Sequence, residues 1–126
     1  MSFLDVYIGF SEGYSLTPDP DKFNIGNTPK CQSPFFPNGS TAFRRLVEKI
    51  DSQAFHGAQV DWGAYAAIVT KVQILSFMEE LYPPEWQEKT REFNNRVGLP
   101  DEYGNLKDFV EALSEDEKYI LVASEL

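Results

Sequence analysis

Prolines rule out regular structure over a quarter of this chain. Five of the eight, Pro18, Pro20, Pro29, Pro34 and Pro37, fall between residues 11 and 40. A proline fixes its own φ, has no backbone donor, and is confined in sheets to edges and bulges. Gly13, Gly26 and Gly39 loosen the same stretch. Residues 11–40 therefore read as one long irregular loop, and the regular elements must come from either side of it. Structureless connections longer than about 15 residues are uncommon in compact domains and tend to be functional or disordered. Tyr14, Phe23, Phe35 and Phe36 argue against plain disorder. Phe35 and Phe36 are candidate contact residues.

Outside the loop, periodicity is informative. From Phe3 to Phe10, Leu4, Val6, Ile8 and Phe10 alternate with Phe3, Asp5, Tyr7 and Gly9, the period of a strand. After the loop, Phe43, Leu46, Val47, Ile50 and Ala54 recur at helical spacing, with Ser40 or Thr41 as the cap and Arg44, Arg45, Glu48, Lys49 and Asp51 on the wet side. Phe55-His56-Gly57 then reads as the helix C-terminus.

Residues 60–82 admit one long buried helix, or a strand followed by a helix. Thr70-Lys71-Val72-Gln73 decides for the second, because it matches a capping box that would be wasted in mid-helix. A strand from Trp62 to Val69 also gives the first strand a partner, and an isolated strand is unstable. The helix from Lys71 to Tyr82 ends at Pro83-Pro84. A third helix from Glu85 to Val97 carries only a narrow stripe of Trp86, Phe93 and Val97, which implies partial exposure. Gly98 and Pro100 stop it. A fourth is expected with Asn105 as cap and Leu106, Phe109, Val110 and Leu113 inward. A turn at 114–117 then leads into a strand ending near Ser124. The order is β-α-β-α-α-α-β. The expected fold is a single α+β domain over residues 1–126, with a sheet of three strands, or four if the loop supplies one, covered by helices.

Charge divides the chain unevenly. Residues 79–126 hold 13 Asp and Glu against 5 Lys and Arg, a net of −8, whereas residues 1–78 hold 7 against 6. Such a field repels nucleic acid and anionic membrane and steers basic partners toward one side. A single cysteine, Cys31, cannot form an internal disulfide. With no signal-peptide pattern and no apolar run long enough to span a bilayer, the expectation is a cytoplasmic protein.

Motifs that would carry chemistry are weak. Cys31, His56 and Asp61 supply the residue types of a thiol nucleophile, its base and an orienting carboxylate, but no local signature surrounds the cysteine. Asp19 to Gly26 resembles a calcium loop and fails it: Phe23 stands at a ligand position, Asn24 replaces the turn glycine and Lys30 replaces the bidentate glutamate. Asn38-Gly39-Ser40 matches a glycosylation acceptor and reads better as a turn into the first helix. One cysteine and one histidine cannot furnish a four-ligand zinc site. No cofactor is expected.

Function is then a matter of surfaces. Glu85, Glu88 and Glu92 share one helix face at i, i+3 and i+7, with Trp86 and Tyr82 beside them as candidate anchors. The expectation is a non-enzymatic acidic protein of the prokaryotic or phage accessory kind, an inhibitor, immunity or antidefence protein that docks on a basic, nucleic-acid-handling protein. The alternatives are an assembly protein that forms homo-oligomers through the 11–40 loop, and a small enzyme built on Cys31 and His56.

Overall fold

The computed structural model describes residues 4–10, 30–31, 33–61 and 63–125. The calcium-like stretch at 19–26 and most of the Pro-rich loop lie outside them. Nine elements follow in order: β1 (Leu4–Phe10), β2 (Lys30–Cys31), α1 (Gly39–Asp51), β3 (His56–Asp61), β4 (Ala64–Thr70), α2 (Lys71–Leu81), α3 (Pro84–Val97), α4 (Glu102–Glu111) and β5 (Lys118–Glu125). The protein is a small single α+β domain. Four full strands and the two-residue β2 make one antiparallel sheet, ordered β2-β1-β5-β4-β3. The expected order holds, with the β3–β4 hairpin occupying the place of one strand and β2 coming from within residues 11–40.

The hairpin shows why the strand-then-helix reading of 60–82 is right. β4 pairs with β3 on one side and β5 on the other, and Ala64, Ala66, Ala67, Ile68 and Val69 are all buried. At its end Thr70 closes a full capping box: the Gln73 amide donates to Thr70 Oγ1 at 3.2 Å, and the Thr70 amide donates to Gln73 Oε1 at 2.9 Å. Strand and helix thus meet at one residue with no loop between them.

β4 runs Ala64–Thr70 where Trp62 to Val69 was expected, α2 and α3 shift by one residue at Leu81 and Pro84, and three further boundaries differ for identifiable reasons. α1 starts at Gly39, with Asn38 in the left-handed region and no side-chain cap, so neither Ser40 nor Thr41 caps it. Glycine is required there, because a Cβ would lie 2.1 Å from the Leu4 carbonyl oxygen. α1 also stops at Asp51, well short of Gly57. Gln53 adopts φ 64, its amide donates to the Ile50 carbonyl, and the Phe55 amide donates back to the Lys49 carbonyl. His56 then opens a strand and caps no helix. Finally, α4 begins four residues earlier than expected, because Asp101, and not Asn105, accepts from the Gly104 amide at 3.0 Å.

Alternation along the strands gives the sheet two apolar faces. Val6, Ile8, Ala67, Val69, Leu121 and Ala123 pack with Leu46 and Ile50 of α1, Ile74, Phe77 and Met78 of α2, and Leu106 and Val110 of α4. Burying one such side chain fully stabilises by about 1.5–3 kcal/mol, so this layer dominates the fold. On the other face Tyr7, Ala66, Ile68, Ile120 and Val122 form a second buried cluster, joined by no described helix residue. No helix among the described residues is long and apolar enough to cross a membrane.

Candidate functional site

α3 differs from the other helices in having no buried residue over 14 positions. It begins with Pro84 at the first turn and ends at Gly98, whose φ of 75 suits a left-handed C-cap, with the Gly98 and Leu99 amides both donating to the Asn94 carbonyl. One aromatic cluster ties it to the body. The Trp86 ring lies 4.6 Å from that of Tyr82 and 6.0 Å from that of Tyr103, and Tyr82 and Tyr103 meet edge to face at 5.4 Å. Gln87 Nε2 adds a bond to the Tyr82 carbonyl at 2.7 Å. Phe93 and Val97, the rest of the apolar stripe, stay about half exposed, as does Leu99 just past the helix.

The residues singled out from the sequence fall into three groups. Glu85, Glu88 and Glu92 are all exposed on α3, and Trp86 is half-buried beside them. Tyr82 and Phe36 are interior, at 1% and 3% exposure, and have no surface to offer a partner. Tyr82 instead holds the chain together, its hydroxyl donating to the Pro37 carbonyl. Burial, then the neighbouring Tyr103 and the charge of Glu102, pushes its phenol far above the ordinary tyrosine range. Phe36 packs against Phe77 on the helix side of the sheet, while Phe35, half exposed, meets Tyr7 edge-on at 6.0 Å on the other side. Phe35 therefore belongs with the Tyr7 face of the sheet and not with the Tyr82–Trp86–Tyr103 cluster.

Charge on α3 is more balanced than the acidic third as a whole. Glu85, Glu88 and Glu92 are matched there by Lys89, Arg91 and Arg96, three against three, and Lys89 pairs with Glu85 at 3.1 Å. The excess lies on α4 and the turn after it. Residues 101–117 hold seven acids (Asp101, Glu102, Asp108, Glu111, Glu115, Asp116 and Glu117) and one base, Lys107, a net of 1 − 7 = −6. All seven are exposed, and none forms an ion pair with a described residue.

Between α3, the 99–103 corner and Pro37-Asn38 lies a groove of about 270 Å³. Trp86, Thr90, Phe93 and Asn94 form one wall, with Leu99, Glu102 and Tyr103 opposite. Arg96, which is not part of the lining, has its guanidinium 5.9 Å from the centre of the Phe93 ring. Tyr103 and Leu99 escaped the sequence reading, although the narrow stripe on α3 already marked a helix with apolar surface to spare. Larger clefts lie at the C-terminal end of α1 against β3 (about 690 Å³, reaching His56 and Tyr65) and between α2 and α4 (about 490 Å³, lined by Glu79, Lys107 and Glu111).

Cys31 and His56 are not brought together. They sit on β2 and β3, the two edges of the sheet, four strand spacings apart. At ~4.8 Å per spacing this is roughly 19 Å, whereas a nucleophile and its base must come within about 3 Å. Cys31 Sγ donates to the Ser33 carbonyl at 3.0 Å, and desolvation together with the charge of Asp5 pushes its thiol up, away from the thiolate a nucleophile needs. Among the described residues no three His, Cys, Asp or Glu side chains converge as metal ligands would. Comparison with protein-family models, curated proteins and solved structures returned no match.

Proposed function

We propose that the protein is a non-enzymatic binding protein of the inhibitor, immunity or antidefence type, acting in the cytoplasm on a basic, nucleic-acid-handling protein through the α3–α4 face. The observation that carries this reading is that α3 buries none of its residues and leaves Phe93, Val97 and, just past its end, Leu99 half exposed, while residues 101–117 that follow carry seven exposed carboxylates, of which Glu102 lines the same groove as Phe93 and Leu99. An exposed apolar patch with a polar rim is a common composition of a contact surface. The acidic corner supplies attraction at a distance and the aromatic stripe supplies the contact. Capture from the native lysate on immobilised protein, eluted by a salt gradient, tests it. The supporting result is a basic nucleic-acid-binding protein released as salt rises and not captured by the E85K/E88K/E92K variant.

A second reading, self-association through residues 11–40, is favoured by the exposed ring of Phe35. It requires the apparent mass to rise with concentration and the Phe35→Ser variant to abolish that rise.

A further inference from the structure

We propose that the groove between α3 and the 99–103 corner is a seat for one arginine side chain of the partner, an inference that rests on the docking face described above. Size argues first. At about 270 Å³ the groove falls below the roughly 300–1,000 Å³ of small-molecule pockets, so its scale suits a single side chain entering from a neighbouring protein. Lining chemistry argues second. Three aromatic residues, Trp86, Phe93 and Tyr103, contribute to the walls, and the one charged lining residue is Glu102, which makes no ion pair with a described residue. The cleft between α2 and α4, by contrast, has Lys107 among its lining, and Lys71 Nζ donates to the Glu111 carbonyl at 2.8 Å nearby. Among these three clefts the α3 groove alone joins three aromatic side chains to a carboxylate with no lysine or arginine in its lining.

An arginine fits this combination better than a lysine. Its guanidinium is planar and weakly hydrated, it stacks on aromatic faces, and its fork matches a carboxylate, whereas an ammonium is a strongly hydrated point charge. The same pairing already occurs within the chain, where Arg96 lies against the Phe93 ring. Entry of the side chain would cover Trp86 and Leu99 with its methylene stem and bring its charge to Glu102.

The test is an amide and indole NMR titration of the full chain with N-acetyl-arginine N-methylamide. Citrulline and lysine amides serve as probes of matched shape and matched charge. The expected result is saturable shifts at the Trp86 indole N–H and the Glu102 amide. Arginine should bind roughly fivefold tighter than citrulline, the upper scale of an exposed ion pair, here to Glu102, and Glu102→Gln, an exposed change that leaves the fold alone, should erase that margin. Citrulline equal to arginine, lysine equal to arginine, or shifts confined to residues 115–117 would each overturn the seat. Failure here is separable from failure of the docking reading. A salt-sensitive basic partner held equally well by E102Q sinks the seat alone, and arginine binding at Trp86 with no such partner sinks the docking reading alone.

Discussion

α2 and α3 are consecutive helices of 11 and 14 residues, parted only by Tyr82 and Pro83, yet they do opposite work. α2 starts on a capping box at the end of a central strand and buries Ile74, Phe77 and Met78 in the main core. α3 starts on a proline, ends on a glycine, buries nothing, and meets the body through Trp86. Good ends are enough to define a helix locally, but only an apolar stripe of full width makes it part of the core. A helix that is well delimited and poorly buried leaves its side chains free for another molecule.

The comparison can be broken most directly by truncating one phenylalanine on each helix. Phe77 is 1% exposed between Phe36 and Phe55, and Phe77→Ala should cost about 3–5 kcal/mol in denaturant unfolding. Phe93, 49% exposed, should cost no more than about 0.5 kcal/mol on the same change. Equal losses would mean that α3 is core after all.

Glycines at the helix ends sharpen the contrast. At Gly39, where α1 crosses β1, alanine must displace the Leu4 carbonyl, and the expected loss is roughly 1–3 kcal/mol or more. At Gly98, nothing lies within 4 Å, so alanine there meets only the backbone penalty of a positive φ, about 1 kcal/mol. A greater loss at Gly98 than at Gly39 would reverse the assignment of which helix is tightly seated. Thr70→Ala removes the α2 cap and should cost about 1 kcal/mol; an unchanged midpoint would show that the box is dispensable.

The joint between the two helices has its own signature. Tyr82 is neutral in both folded and unfolded chains below the ordinary tyrosine value of about 10, so it confers no pH dependence there. Above that value the unfolded chain loses its phenolic proton while the folded chain, with its raised pKa, keeps it. Stability must then fall as pH rises through 10 and beyond. Melting temperatures of wild type and Tyr82→Phe between pH 8 and 11 check this, and the variant should show the shallower alkaline decline.

How much of this was legible beforehand depends on whether the signal is local. The Thr70–Gln73 box, the Pro84 start and the Gly98 stop are set by neighbours within four residues, and they were readable as written. β3 was not: Gly57, Ala58 and Gln59 have little intrinsic preference for strand, and pairing with β4 makes them one. The end of α1 was hidden for a related reason, since Gln53 takes the left-handed conformation usually left to glycine. At the candidate site, Glu85, Glu88, Glu92 and Trp86 could be placed on one helix from spacing alone. Periodicity could not tell that Tyr82 and Phe36 face inward, because an interior aromatic and a surface anchor look alike in sequence. Nor could it find Tyr103 or Leu99, whose place in the groove comes from the corner that packs beside α3.

Whether the acidic C-terminal third draws in a basic partner is decided by the association rate of the captured partner as a function of ionic strength. The Debye length falls from ~10 Å at 0.1 M salt to ~3 Å at 1 M. The wild-type rate should therefore drop steeply over that range, and the E85K/E88K/E92K variant, with its fold intact, should associate slowly at every salt concentration. A rate that is the same at 0.1 M and 1 M salt, and untouched by the triple reversal, would contradict the account.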